Sequence, residues 1–393
     1  MKILFISNYY PPHFEGGYEI SVMETAKYLS EHGHEIYILT GIKGVENNPD
    51  TQISLKPDTP YRIFKYIDYR HGGYLDKHQV EKFNYKIVQT ALMQLQPDIV
   101  YLGNMKAISI APVIAVQNKN VKHVFDLGDL WPNTYINQSY SNRINRYLKR
   151  LLPFTIGGKI DLNPVIVLSS WMKQEVTERF GSKDVHIVPR GISIPPDTPK
   201  ELSKPLKYVF LGRIEPMKGL DICIRAFIEI TRDYPEFEFT FDVIGEEDLP
   251  YADLCRKLIE TNGLSNRISF KGKTNNALVA LQDYDVMLMP TLAREAFGRV
   301  IIEAMACKCI VAASDAYGPS EIITDGVDGF LFTPGSVSAL VQVIHILNSL
   351  SAIEIAQIRT NARNTVCSKY EISLVKERIE DILVNIVFNH SNR

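Results

Sequence analysis

The sequence predicts an α/β protein made of two doubly wound parallel-sheet domains that face each other across a cleft. Three observations carry this. Short apolar runs recur along the chain, and most are followed by a stretch of helical periodicity, the rhythm of a parallel sheet wrapped by helices. Between residues 189 and 205 that rhythm stops, and Pro189, Gly191, Pro195, Pro196, Pro199 and Pro205 give a linker composition. The length of 393 residues also suits two cores better than one.

Taken in order, Ile3–Ile6 is an apolar run of the kind buried in a parallel sheet, and a Gly/Pro-rich loop from Asn8 to Gly17 follows it. Ile20, Met23, Tyr28 and Leu29 mark a helix ending near Gly33. Further strands are expected at Glu35–Thr40, Asp98–Gly103, His123–Leu127 and Val165–Leu168, the last closing this half, with helices around 78–95 and 107–117. After the linker, strands are expected at Tyr208–Leu211, Phe239–Ile244, Ile268–Phe270, Val286–Met289 and Ile310–Ala313. Helices fall at Leu220–Ile230, Tyr251–Thr261 and Arg299–Cys307, then near 336–349, 353–367 and 370–387. The expected division is 1–195, 196–369, and a final helix, 370–393. Ligands of such folds sit at the carboxyl ends of the strands.

Composition excludes several classes. A formal net charge of −2 gives no overall attraction for nucleic acid. The cysteines, 223, 255, 307, 309 and 367, are odd in number with no CxxC, which argues against a disulfide framework or zinc site and suits a reducing compartment. No apolar run reaches the roughly 18–20 residues of a membrane span, and the opening MKILFISNYYPP reads as a strand rather than a secretory signal. A cytoplasmic protein is expected, soluble or peripheral on the inner face of a membrane. The stretch 143–152 is basic and amphipathic; it reads either as a solvated helix packed on its domain or as a helix on an anionic membrane face.

Four segments can carry chemistry. In Pro290–Glu303 a buried strand runs into a loop holding Glu295, Phe297 and Gly298, and a helix starts near Arg299. Such a helix start offers backbone N–H groups to a phosphate, Gly298 permits close approach, and Glu303, one turn on, can accept hydrogen bonds from a diol such as a ribose. In Phe210–Gly219, Arg213 and Lys218 follow a strand and can neutralise a diphosphate. In Glu15–Glu19, Gly16 and Gly17 sit between the first strand and first helix, where bare backbone can meet a phosphate. In Phe125–Pro132, Asp126 and Asp129 end a strand beside Trp131. Either acid can serve as a base or orienting group for an acceptor hydroxyl, or the segment is a turn with Trp131 in the core. There is no GxGxxG and no acid ending the second strand, which argues against a dinucleotide oxidoreductase. No DxD-like pair or His cluster marks a metal site.

Together these segments resemble glycosyltransferase family 4, the retaining group with the GT-B fold of two Rossmann-like domains, and bacterial polysaccharide-biosynthesis members in particular. The resemblance covers nearly the whole chain. It rests on Gly16-Gly17-Tyr18-Glu19, on Gly212-Arg213 with Lys218-Gly219, on Glu295 to Glu303 within EAFGRVIIEAMA, and on Gly318-Pro-Ser-Glu321, Asp325-Gly and Gly329-Phe in order.

The resemblance implies transfer of a hexose-type sugar from a nucleotide-diphosphate sugar to an acceptor hydroxyl, without a catalytic metal or other cofactor. A saccharide or lipid-linked acceptor for a surface polysaccharide or glycolipid is expected. By this likeness Arg213 and Lys218 hold the diphosphate, Glu303 the ribose, and Glu295 hydroxyls of the transferred sugar. Phe297, Gly298, Arg299 and Val300 present backbone to sugar and phosphate, and Gly17 approaches the diphosphate. Many members carry His-Asp where this chain reads Gly128-Asp129, so no histidine is carried over. Asp129 is then the first choice for the acceptor side and Asp126 the second. The competing readings are a nucleotide-sugar epimerase on the same fold and a non-catalytic sugar-nucleotide-binding module.

Overall fold

The computed structural model describes residues 1–14, 16–41, 55–67, 74–136 and 160–389. The basic stretch 143–152 and Glu15 therefore lie outside the described residues. The chain forms two compact units, Met1–Pro189 with Val375–Arg393, and Arg190–Leu374. The sequence had suggested divisions at 195/196 and 369/370.

The first unit holds strands β1 (Lys2–Ile6), β2 (Glu35–Gly41), β3 (Pro60–Phe64), β4 (Ile99–Leu102), β5 (His123–Leu127), β6 (Val165–Val167) and β7 (Val185–Ile187). They pair in the order β3-β2-β1-β4-β5-β6-β7, all parallel. Ile3, Phe5, Ile36, Ile38, Ile99, Tyr101, Val124 and Ile166 build its core. Two strands were not expected. Val165–Leu168 does not close the half, because β7 follows it: three residues at the sheet edge, only partly buried, with too little apolar signal to announce a strand. At the other edge β3 opens on Pro60, which an edge strand tolerates at its first position. The helix expected from residue 107 begins at Ala111 instead. Ala107 and Ser109 both have positive φ, 66° and 67°, which no helix accommodates. Ser109 Oγ then accepts the Ala111 N–H at 3.1 Å.

The C-terminal helix Ile372–Val384 contributes Val375, Ile379 and Leu383 to this same core. Between them Lys376, 1% exposed, donates to Ser21 O at 3.1 Å, Ser21 Oγ at 3.3 Å and Thr25 Oγ1 at 2.7 Å on the Gly17–Glu31 helix. Those acceptors are what make a buried ammonium tolerable.

The second unit holds β8 (Lys207–Leu211), β9 (Thr240–Ile244), β10 (Ile268–Gly272), β11 (Val286–Met289), β12 (Ile310–Ser314) and β13 (Phe330–Phe332), in the order β10-β9-β8-β11-β12-β13, all parallel. β13 was also unanticipated; three residues carry too little period. The Leu220–Asp233 helix buries Leu220, Cys223, Ile224, Phe227 and Ile230, an apolar stripe at helical spacing, and stacks Phe227 on Phe239 at 4.2 Å. A buried ion pair, Arg359 Nη2 to Asp285 Oδ1 at 2.5 Å, ties the Ala352–Lys369 helix to the entry of β11. Asp285 also accepts the Lys207 N–H at 3.0 Å, so that its charge is satisfied from two sides.

Candidate active site

Both sheets reverse their winding beside the segments singled out from sequence. In the second unit the reversal lies between β8 and β11, in the first between β1 and β4. The loops leaving those strands are where a doubly wound sheet opens a crevice.

In the second unit the β8 and β11 loops are bound to each other. Leu292 and Ala293 donate their N–H groups to Met217 O at 2.9 and 3.1 Å. Gly219, at φ 71°, lies so close that a β-carbon there would stand 2.2 Å from Pro290 O. This close approach delivers Lys218 Nζ to Glu295 Oε2 at 2.5 Å, both side chains about one-fifth exposed. A third loop supports the far side: Gly318 N–H donates to Glu295 O at 3.1 Å, and a β-carbon on Gly318 would meet Phe297 O at 2.5 Å. Phe297 itself is buried with its ring 5.5 Å from that of Tyr370, so this residue offers its backbone rather than its side chain.

The Arg299–Ala306 helix then starts after Gly298, whose φ of 100° and ψ of 58° lie in the region open to glycine. Arg299 Nε meets Glu303 Oε1 at 3.1 Å across one helical turn, and both are largely shielded. Arg213 stands apart from Lys218 in its pairing: its guanidinium meets Glu215 at 3.1 Å and is 64% exposed. The structure thus joins Lys218 with Glu295, and Arg299 with Glu303. A carboxylate, an ammonium and the N–H groups of a helix start come from loops locked together by backbone hydrogen bonds. Such a set can bind a diphosphate and adjacent hydroxyls.

In the first unit Gly16 precedes the Gly17–Glu31 helix in extended conformation, and its N–H donates to Glu19 Oε2 at 3.1 Å. A β-carbon on Gly16 would meet open space, so bare backbone is presented there. The two acids after β5 separate clearly. Asp126 is fully buried in the sheet, while the Asp129 side chain is 43% exposed. Asp129 Oδ1 accepts the Trp131 N–H at 2.8 Å and Oδ2 meets Lys106 Nζ at 2.5 Å. The segment is thus a turn with Trp131 in the core, as one reading had it, and Asp129 is the acid that reaches solvent.

Sequence reasoning missed the residues that hold these groups in place. Gly318 appeared as part of a motif but not as the seat of Phe297, and Lys106 carried no signal. Tyr18 stood in the Gly16–Glu19 motif without a role, yet its hydroxyl donates to Asp126 O at 3.0 Å. Among the described residues no group of three or more His, Cys, Asp or Glu side chains converges as a metal site would. No single described helix is long and apolar enough to cross a membrane.

Known proteins resemble this chain in sequence and in fold. Residues 15–194 match Glycosyltransferase Family 4, and residues 196–365 match Glycosyl transferases group 1. An uncharacterised glycosyltransferase of Methanocaldococcus jannaschii, MJ1069, is 24% identical over 86% of this chain and 86% of its own. The phosphatidyl-myo-inositol mannosyltransferase of Mycolicibacterium smegmatis is 25% identical over 84% of this chain and 81% of its own. Anabaena Alr3699/HepE, solved in complex with UDP and glucose, superposes with a TM-score of 0.70 at 22% identity, over 98% of this chain and all of that one. Two parallel-sheet units, matched in turn by the two halves of one enzyme family, make the chain a GT-B glycosyltransferase belonging to family 4, the group 1 enzymes.

Proposed function

We propose that the protein moves a hexose-type sugar, with retention at the anomeric carbon, from a nucleotide-diphosphate sugar to a saccharide or lipid-linked acceptor in cell-surface polysaccharide or glycolipid synthesis. The observation that carries this is the Lys218–Glu295 pair at 2.5 Å beside the start of the Arg299–Ala306 helix. A diphosphate brought to Lys218 competes with Glu295 for the ammonium. Glu295, so released, turns to hydroxyls of the sugar. Helix-start N–H groups and Arg213 stabilise the departing diphosphate. Glu303 holds the ribose diol, and the backbone at Gly17, joined by that of Gly16 once its N–H leaves Glu19, adds donors to the diphosphate. The bond between the anomeric carbon and the phosphate oxygen breaks with its electrons on the diphosphate. The acceptor oxygen bonds to that carbon on the same face, and its proton passes to a diphosphate oxygen. Asp129 orients the acceptor.

The reaction in this proposal needs no metal, and the site of action is the cytoplasm or the cytoplasmic face of a membrane. Five free thiols suit that reducing compartment. Two relatives support the substrate class: the M. smegmatis enzyme is a phosphatidyl-myo-inositol mannosyltransferase, and a Staphylococcus aureus relative, 25% identical over 58% of this chain, is a poly(ribitol-phosphate) α-N-acetylglucosaminyltransferase.

A thermal-shift panel of UDP-, GDP- and ADP-sugars tests the donor reading, since a ligand that binds the folded state raises the melting temperature. One nucleotide class is expected to stabilise the protein. Glu303→Ala and Arg213→Ala should each weaken that donor by roughly tenfold to a hundredfold, the size of a lost charged hydrogen bond. Unchanged binding and turnover in both variants would remove the site assignment. Turnover abolished by a chelator and restored by a divalent ion would remove the metal-free mechanism. Conversion of the donor alone into an altered free nucleotide-sugar would favour an epimerase.

A further inference from the structure

Residue 128 is a glycine, and the structure shows what fills the space beside it. A β-carbon on Gly128 would lie 2.1 Å from Tyr18 Cδ2 and 2.9 Å from its Cε2 and Cγ. One on Gly103, in the loop after β4, would lie 2.8 Å from the Tyr18 hydroxyl. The ring is therefore seated on two bare stretches of backbone at the carboxyl ends of β4 and β5. Its hydroxyl closes the arrangement by donating to Asp126 O at 3.0 Å. Tyr18 is the second residue of the Gly17–Glu31 helix, directly after the glycine pair. Asp129 follows Gly128. One side chain thus spans the two segments of the first unit that the proposed function uses.

We infer that Tyr18 is a positioning residue for the transfer, fixing the Gly16-Gly17 backbone and the Asp129 turn as one rigid piece. The inference rests on the proposed roles of those two segments. Tyr18 acts through them: its ring lies against Gly103 and Gly128, and its hydroxyl donates to Asp126 O. Removing the ring leaves room for the turn to relax toward the helix. A displacement of about 1 Å in such a group can cost a hundredfold in rate. Adding a methyl group at 128 drives the same two segments apart. The two changes are compensatory in volume, so together they should do less harm than either alone.

The test is hydrogen exchange on the full chain, read at two amides that the structure ties to this piece. The Gly16 N–H is bonded to Glu19, and the Trp131 N–H to Asp129. Tyr18→Ala and Gly128→Ala should each speed exchange at both amides by roughly tenfold or more, the double variant should slow it again, and Tyr18→Phe should stay near wild type. Release of nucleoside diphosphate from UDP-glucose, UDP-N-acetylglucosamine, GDP-mannose and ADP-glucose is followed in parallel. Here kcat/KM for the donor should fall roughly 30-fold in Tyr18→Ala, since the Gly16-Gly17 backbone that the ring holds also meets the diphosphate. Acceleration at one amide only, a Gly128→Ala protein indistinguishable from wild type, or exchange rising across the whole chain would each overturn the inference. Asp129→Asn serves as the control on the acceptor reading. If it turns over normally while Tyr18→Ala is impaired, Asp129's role fails and Tyr18's coupling stands. The reverse pattern removes Tyr18.

Discussion

His123 opens β5 with its ring mostly buried, Nδ1 2.9 Å from Val121 O and Nε2 3.3 Å from Gln117 Nε2. Those partners suit a neutral ring that donates from Nδ1 and accepts at Nε2. Burial pushes its pKa below the usual histidine value, against the opposing pull of the Val121 carbonyl and the Asp161 charge. The unfolded chain takes up a proton near pH 6.5, before the folded protein does, so stability falls as pH drops through that value and until the lower folded pKa is reached. The melting temperature of His123→Gln should therefore fall less between pH 7.5 and pH 5.5 than that of wild type; equal losses would refute this. At this scale the sequence was legible where a motif marks a residue and illegible where the partner is remote. Lys218 and Glu295 were both identified, yet their mutual pairing required two loops to fold onto each other. Asp285 and Arg359 stand 74 residues apart in the chain and neither lies in a motif. The missing side chain at Gly128 was visible as a departure, but its cause, a ring from residue 18, was not.

Loops and strands were legible in proportion to their period. Apolar runs of four residues, such as those in β1, β8 and β11, announced themselves. The three-residue β7 and β13 did not, nor did β3, with a proline at its head. The helix start after Gly298 was legible because the glycine, the loop acid and the apolar stripe coincide. The bracing between the loops was not, since it runs through backbone atoms with no residue signature. That bracing is testable at Gly219. With φ at 71° and Pro290 O in the way, Gly219→Ala combines backbone strain with a steric clash. A destabilisation of roughly 1–3 kcal/mol is expected. Donor affinity should fall in the same variant, because the clash pushes the Lys218 loop away from Glu295. An alanine variant that melts and binds donor as wild type would mean that the two loops move independently.

Across the whole molecule, the first unit takes its core from both ends of the chain, whereas the second is one continuous stretch. Val375, Ile379, Leu383 and Ile386 all lie in the first unit's core. Burial of four such side chains contributes on the order of 6–12 kcal/mol, comparable to the whole stability of a domain. A chain ending at Leu374 should therefore lose the first unit's melting transition in calorimetry and keep that of the second. Two retained transitions would show that the C-terminal helix is dispensable. The same arrangement sets an order of events during synthesis. At roughly 5–20 residues per second, residues 375–386 leave the ribosome some tens of seconds after Pro189 has appeared. Throughout that interval the nascent N-terminal sheet has an uncovered apolar face, while the middle of the chain can fold to completion. A cell making this enzyme must shelter residues 1–189 until residues 375–386 arrive.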